Sequence, residues 1–145
     1  LLAACLAEPF FALPPPKSTG RDLFNAEWLA ARLRPGLDAR DVMATLAELT
    51  ARNAADALQR HAPTTTDLVV CGGGAFNRHL MSRLAALLPG TRVRGSAEAG
   101  IPPDQVEAFA FAWLAWAFVH RRAGNLVEVT GAAGPRVLGA LYPAA

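Results

Sequence analysis

The chain has 145 residues, enough for one ordinary domain, and a composition of 52% hydrophobic and 18% charged residues excludes a disordered protein. The net charge of +2 comes from scattered basic residues, so we expect no nucleic-acid partner. The longest apolar run, residues 108–119, is shorter than the roughly 20 residues that cross a bilayer, so we expect no membrane span. Cys5 and Cys71 lie in apolar runs without metal-ligand spacing, which predicts buried thiols in a reducing, cytoplasmic compartment.

The first half of the chain has the apolar spacing of helices, interrupted by prolines that cannot lie in a helix interior. Asp38 or Asp41 can cap the longest of these helices. In chain order we predict a helix end, a stiff extended loop and two helices: residues 1–8, 9–21, 22–33 and 38–61.

The residue pattern of the second half predicts two short strands with a glycine turn and a helix between them. An apolar helix and a closing strand are expected to follow. Pro103 suits the first turn of the apolar helix, which is apolar on nearly every side and is therefore expected to be buried. The expected strands are residues 67–71, 91–94 and 137–142, the helices are residues 77–88 and 103–122, and residues 123–134 are expected to form a loop. This order predicts an α/β fold, rich in helix, with a small sheet.

The segment from Leu68 to Asn77 carries the first chemical signal. Its glycines, Gly72, Gly73 and Gly74, follow a buried strand and precede a helix, where they permit a sharp turn and a close approach to the backbone. A nucleotide could lie across this edge of the sheet, since open α/β sheets place ligands there. The alternative is a tight turn without a ligand, with Asn77 serving only as a helix cap.

Four groups of residues, in this order and spacing, resemble the C-terminal part of the anhydro-N-acetylmuramic acid kinases. They are the proline-rich segment 15–25 (PPKSTGRDLFN), the glycine turn, residues 100–112 (GIPPDQVEAFAFA), and residues 124–126 with 129–132 and 137–140. The similarity covers nearly the whole chain. One departure is Val127, where the family commonly has proline.

The resemblance implies a place in the actin-like ATPase and sugar kinase superfamily, where two lobes of RNase-H-like topology close over ATP and sugar. Residues 1–145 are then expected to be a partial C-terminal lobe, with the N-terminal lobe and the start of this lobe missing. The catalytic aspartate and the first phosphate loop belong to those missing parts, so we expect no catalytic residue and no metal ligand here.

The reaction that the resemblance implies consumes anhydro-N-acetylmuramic acid, water and ATP. Water opens the anhydro bridge, and the γ-phosphate passes to the freed 6-hydroxyl, giving N-acetylmuramic acid 6-phosphate in peptidoglycan recycling. Mg²⁺ is expected with the ATP, because it neutralises phosphate charge during transfer.

The resemblance also suggests roles for single residues. It places Gly72, Gly73 and Gly74 on the adenosine side, with Asn77 beside them. It makes Glu107 a carboxylate of the sugar site, the alternative being a simple interaction with its own helix N-terminus. The neighbouring Asp104 is expected to face solvent.

Two cations in the proline-rich segment are further candidates. Lys17 and Arg21 flank two hydroxyl residues, and they can meet phosphate or the lactyl carboxylate of the sugar, or belong to a surface loop pinned by hydrogen bonds. Ser96 is a weaker candidate for the sugar pocket. The histidines are expected on helix surfaces or ends, and the tryptophans in the core: His61, His79 and His120, and Trp28, Trp113 and Trp116.

Two other functions fit the sequence less closely. Another kinase of the superfamily would share the glycine turn but not the segments around Lys17 and Gly100. The chain could also be a non-catalytic remnant or interaction module of such a kinase, which would exist without the N-terminal lobe and the first phosphate loop. If nothing covers the apolar helix, we expect the isolated chain to form homodimers or to aggregate.

Overall fold

The computed structural model describes residues 1–143 and shows a helix-rich fold with a small sheet, as expected. The α-helices in this part of the chain are α1 (Leu2–Leu6), α2 (Ala26–Ala30), α3 (Ala39–His61), α4 (Arg78–Leu87), α5 (Val106–Val119) and α6 (Val127–Thr130). The strands are β1 (Asp67–Val70) and β2 (Arg92–Gly95), and 3-10 turns occupy Pro9–Ala12, Gly73–Phe76, Ser96–Ala99 and Pro103–Gln105. No helix within residues 1–143 is both long and apolar enough to cross a membrane.

The two strands are parallel, and α4 forms the crossover between them, because parallel strands cannot be joined by a tight hairpin. The register pairs Asp67 with Arg92 and Val70 with Gly95, so both strands end at one edge of the sheet. Arg94 forms an ion pair with Asp67 (Nη2 to Oδ2, 2.6 Å), and its hydrogen bonds hold the pKa of that carboxyl below its ordinary value. This edge positions the glycine turn.

The buried residues lie mainly where α1 and α4 pack on α3. α3 begins at its expected cap, where Asp38 Oδ1 accepts a hydrogen bond from the Arg40 amide at 2.7 Å. The buried apolar residues of these three helices and their ends are Cys5, Leu49, Ala51, Ala55, Leu84 and Leu88. α3 is therefore the central element of the packed part of the chain.

A carboxylate joins α3 to α4. Glu48 accepts a hydrogen bond from Arg83 Nε at 2.6 Å and another from Arg52 Nε at 2.8 Å. These hydrogen bonds, that of Arg83 foremost, lower the pKa of Glu48 to about 2. The carboxylate is mostly shielded from water, whereas both arginines are more exposed.

We expect acid to weaken this junction in a defined range. The pKa of Glu48 falls from 4.5 to about 2 on folding, so its contribution is present above pH 4.5 and is lost as the pH falls to about 2. After allowance for screening at the exposed arginines, the loss is about 1 kcal/mol. Urea unfolding of wild type and Glu48→Gln between pH 2.5 and 6 measures it. Equal pH dependence in both proteins would contradict the assignment.

Two predictions in the first half were wrong in extent. The helix expected over residues 22–33 contracts to α2, because Asn25 Oδ1 accepts a hydrogen bond from the Trp28 amide at 2.8 Å and so caps the helix there. The loop expected to be extended from Pro9 begins with a 3-10 turn, whose Phe10 amide bonds to Glu8 Oε1 at 3.4 Å. Local side-chain caps therefore set where both elements begin.

Three predictions in the second half were wrong. Residues 137–142 form no strand and instead lie against α5, where a Cβ on Gly139 would come 3.4 Å from the Phe118 ring. The loop expected over residues 123–134 contains α6. Cys5 is buried as expected, but Cys71 is exposed.

The apolar helix α5 is not buried as expected. Of its residues only Ala117 is buried. Trp28 is half-buried, but the expected core residues Trp113 and Trp116 remain 50% and 43% exposed. Within residues 1–143 there is too little structure around α5 to cover it.

Candidate functional site

The glycine turn lies at the carboxyl edge of the sheet, directly after β1. Gly72 has φ +72° and ψ −173°, a backbone conformation essentially restricted to glycine. Its amide donates a hydrogen bond to the Pro103 carbonyl at 2.8 Å. The turn is therefore tied to the segment that begins α5.

The outer surface of the turn is open. A Cβ placed on Gly72 or Gly73 would meet no atom within 4 Å, whereas one on Gly74 would lie 3.4 Å from Leu80 Cδ2. The backbone at Gly72 and Gly73 can thus be approached closely by a planar or charged group. Of the three, only Gly74 packs against α4.

Asn77 caps α4, one of the two roles that its sequence position allows. Its Oδ1 accepts a hydrogen bond from the Leu80 amide at 3.1 Å, and its own amide bonds to the Gly74 carbonyl at 3.1 Å. Within the described residues no hydrogen bond involves its side-chain nitrogen. The cap leaves that nitrogen available on the exposed side chain.

Glu107 is exposed in the first turn of α5. It follows the 3-10 turn Pro103–Gln105, whose first carbonyl is the one bonded to Gly72. Two predicted parts of the site, the glycine turn and the start of α5, are therefore brought together by a single backbone hydrogen bond. Asp104, in the same 3-10 turn, is exposed as expected.

Lys17 holds its own loop together. Its Nζ donates to the carbonyls of Phe10 and Phe11 at 2.9 and 3.0 Å and lies 4.9 Å from the centre of the Phe10 ring. Arg21 is exposed, and no ion pair involves it within residues 1–143. Of the two roles left open for Lys17, the structure displays the pinned loop.

Lys17 also lines a cleft of about 740 Å³ between the proline-rich segment and the second half of α3. Asp56, Arg60 and His61 lie on the opposite wall, and no residue of the glycine turn or of α5 lines it. The structure therefore does not place Lys17 and Glu107 in a common cleft. No sequence motif points to these α3 residues as partners of Lys17, because some 40 positions separate them from it.

The described part of the chain contains no group of three or more His, Cys, Asp or Glu side chains that could hold a metal ion. His61, His79 and His120 are exposed on helices or at helix ends, as expected. Ser96 is buried directly after β2, and its hydroxyl has no hydrogen-bond partner among residues 1–143.

Comparison with known proteins settles the family. A sequence model of the anhydro-N-acetylmuramic acid kinase family matches residues 1–144. The chain belongs to this kinase family. Kinases of that name from Xanthomonas axonopodis pv. citri and Ralstonia nicotianae are each 58% identical to it, and one from Chromobacterium violaceum is 57% identical.

These kinase relatives are much longer than the chain. Each match covers 99% of the chain but only 38% to 40% of the relative. The chain thus spans about two fifths of the length of the curated relatives that it matches. The glycine turn and the start of α5 lie within that shared part.

Proposed function

We propose that this chain is the nucleotide-facing part of an ATP-dependent kinase. The whole kinase uses ATP and water to convert anhydro-N-acetylmuramic acid to N-acetylmuramic acid 6-phosphate and ADP. Water opens the anhydro bridge, and the γ-phosphate passes to the freed 6-hydroxyl. Family membership over residues 1–144 is the observation that carries the proposal. Because the reaction needs ATP, we also propose a cytoplasmic location.

The architecture is proposed to be part of an RNase-H-like lobe of the actin-like ATPase type, with the other lobe and the start of this one lying in the portion that the chain lacks. The parallel pair of strands with its helical crossover supports this assignment. The catalytic aspartate is assigned to that missing portion, and this chain is assigned binding roles.

The nucleotide is proposed to contact Gly72, Gly73 and Gly74, with Asn77 Nδ2 as a further donor. The open space at the first two glycines fits a nucleoside group that approaches the backbone closely. The turn lies at the carboxyl edge of parallel strands, where α/β folds bind such ligands. This part of the chain therefore fits ATP.

Magnesium is proposed to accompany ATP, and its role is to neutralise phosphate charge. Within residues 1–143 no cluster of carboxylates fits it. Its ligands are therefore assigned to the ATP phosphates and to residues outside this chain, and none is assigned here.

Glu107 is proposed to bind the sugar. An ionised carboxylate in the first turn of α5 is favoured by the helix dipole and can accept hydrogen bonds from sugar hydroxyls. The hydrogen bond from Gly72 to Pro103 links its helix to the nucleotide turn, which suits a transfer between two bound substrates. Its side chain is exposed and so is accessible to a ligand.

Lys17 and Arg21 are proposed to meet an anionic group, either phosphate or the lactyl carboxylate. Lys17 uses two of its three donor hydrogens on backbone carbonyls, so at most one remains for a ligand. The exposed guanidinium of Arg21 is the stronger candidate for a two-point contact with a carboxylate.

A coupled ADP-release assay with anhydro-N-acetylmuramic acid tests the proposed function. It compares this chain alone with the chain joined to the missing portion of the Xanthomonas axonopodis relative, hereafter the assembled kinase. We expect turnover that depends on this sugar in the assembled kinase, and none in the chain alone. A folded assembled kinase without such turnover would overturn the assignment and favour a non-catalytic interaction module.

The glycines supply a matched pair for the nucleotide contact. Gly72→Ala should destabilise the assembled kinase by roughly 2 kcal/mol, because alanine is strained at φ +72°. Gly73→Ala meets no atom and should change stability by less than about 0.5 kcal/mol. It should nevertheless weaken ATP binding severalfold, as measured by calorimetry, since the new methyl group occupies the space where the nucleotide approaches. Unchanged ATP affinity in Gly73→Ala would remove this turn from the site.

A further inference from the structure

Residues 124–136 form a surface loop that hydrogen bonds close at its base. The Gly124 amide donates to the Arg136 carbonyl at 2.9 Å. The side chain of Asn125 also bridges the base, because its Nδ2 donates to the Gly134 carbonyl at 3.2 Å and its Oδ1 accepts from the Arg136 amide at 2.7 Å. Compact surface loops whose ends meet in this way are frequently functional. We call residues 124–136 the closed loop.

The tip of the closed loop lies against the proline-rich segment. The helix α6 occupies one arm of the loop and ends at Gly131, which has φ +67° and donates its amide to the Val127 carbonyl at 3.0 Å. A Cβ on Gly131 would come 3.1 Å from Pro16 Cγ, closer than most side-chain contacts. Glycine alone combines this backbone conformation with so close an approach.

The contact with Pro16 falls beside the cations of the proline-rich segment. Pro16 immediately precedes Lys17, whose ammonium group is fixed on two earlier backbone carbonyls. The Gly20 amide donates to Asp22 Oδ1 at 3.0 Å, and the exposed Arg21 lies inside that turn. The backbone that carries both cations is therefore held at Pro16 on one side and by this turn on the other.

We propose that the closed loop positions the two cations of the proline-rich segment, Lys17 and Arg21, for a phosphate or carboxylate of the ligand. Gly131 acts through its contact with Pro16, and Asn125 acts by closing the base of the loop. Both are positioning residues, and neither needs to touch a ligand. The role rests on the proposed function for its ligand, whereas the contact between the two segments does not depend on the reaction.

Tryptic cleavage after Lys17 and Arg21 in the assembled kinase, followed by mass spectrometry, tests this contact without any ligand. Gly131→Ala should speed the cleavage about fivefold, since the new methyl group displaces Pro16. Gly36→Ala is the matched control, because Gly36 also has a positive φ of +83° but a Cβ there would meet no atom within 4 Å. It should change the rate by less than about twofold. Equal cleavage rates in the two variants would overturn the proposal.

Calorimetry on the same proteins identifies the anionic group. If that group is the lactyl carboxylate, Gly131→Ala should weaken binding of anhydro-N-acetylmuramic acid about fivefold and change ATP affinity by less than about twofold. If it is a phosphate, the ATP affinity should fall instead. Asn125→Ala should weaken the same ligand, because it opens the base of the closed loop.

Two results of the calorimetry would overturn the positioning role. One is unchanged affinity for both ligands in Gly131→Ala, and the other is an equal loss for both, which would indicate general damage. The proposed reaction fails separately: a folded wild-type assembled kinase without sugar-dependent turnover, in which Gly131→Ala still speeds cleavage after Lys17, would count only against that reaction.

Discussion

Replacing Glu107 by glutamine should lower kcat/KM for anhydro-N-acetylmuramic acid about a hundredfold in the assembled kinase. Glutamine keeps the size of the side chain and removes its negative charge, so it would lose the charge-assisted hydrogen bonds that we propose Glu107 accepts from sugar hydroxyls. A loss of about 2.5 kcal/mol for such bonds corresponds to a factor of roughly a hundred. The coupled ADP-release assay measures it, and the KM for ATP should stay unchanged.

Asp104→Asn is the matched control for this prediction. Asp104 is also exposed and carries the same charge, and it precedes Glu107 by three residues in the turn that opens α5. Its replacement should alter kcat/KM by less than about threefold, because losing one exposed negative charge near the helix N-terminus changes the electrostatic energy at the site only slightly. Equal losses of kcat/KM in both variants would mean that Glu107 affects the site only through its charge and does not contact the sugar.

The kinetic parameters separate two roles for Glu107. If it only holds the sugar in the ground state and in the transition state alike, the variant raises KM and leaves kcat unchanged. If it acts on the proton balance at the anhydro bridge, kcat falls and its pH profile changes.

The parts of the fold that were predictable are those that local sequence determines. Asp38 and Asn77 cap the helices that were expected after them, because a short side chain with an oxygen acceptor satisfies free amides wherever the apolar helical spacing begins. Gly72 adopts the conformation for which a glycine was needed between strand and helix. The sequence also predicted the order of elements from β1 to β2 with errors of only one residue.

What failed depended on contacts with other parts of the polypeptide. The sequence predicts that α5 is buried, which would hold for a helix surrounded by a whole domain. Within residues 1–143 too little structure surrounds the helix, and Phe111 and Val119 remain exposed. Cys71 is exposed for a related reason, since it follows a strand whose sheet has only two strands within residues 1–143. An apolar pattern predicts that a surface will be covered, but it does not say which segment covers it.

The candidate site likewise has parts that the sequence predicted and parts that it could not predict. The glycine turn and Glu107 were identifiable from motifs, but the hydrogen bond from Gly72 to Pro103 that joins them is a tertiary contact. Lys17 was identifiable as a candidate, whereas its use on the carbonyls of Phe10 and Phe11 depends on how the proline-rich segment folds back. Spacing alone could not choose between a ligand contact and a pinned loop.

Truncating Leu84 should have the largest effect on stability. Leu84 in α4 is only 4% exposed, at the packing of α4 on α3, and Leu84→Ala removes three buried carbon atoms and leaves a cavity. We expect a loss of about 3 kcal/mol in the free energy of unfolding, a large share of the 5–15 kcal/mol typical of a domain. Urea unfolding of the assembled kinase, followed by circular dichroism, measures the shift in midpoint. Met43→Ala, on the exposed side of α3, should change stability by less than about 0.5 kcal/mol. Similar losses in both variants would mean that packing of α4 on α3 is not the core of this chain, and the support that positions the glycine turn would have to come from the missing portion instead.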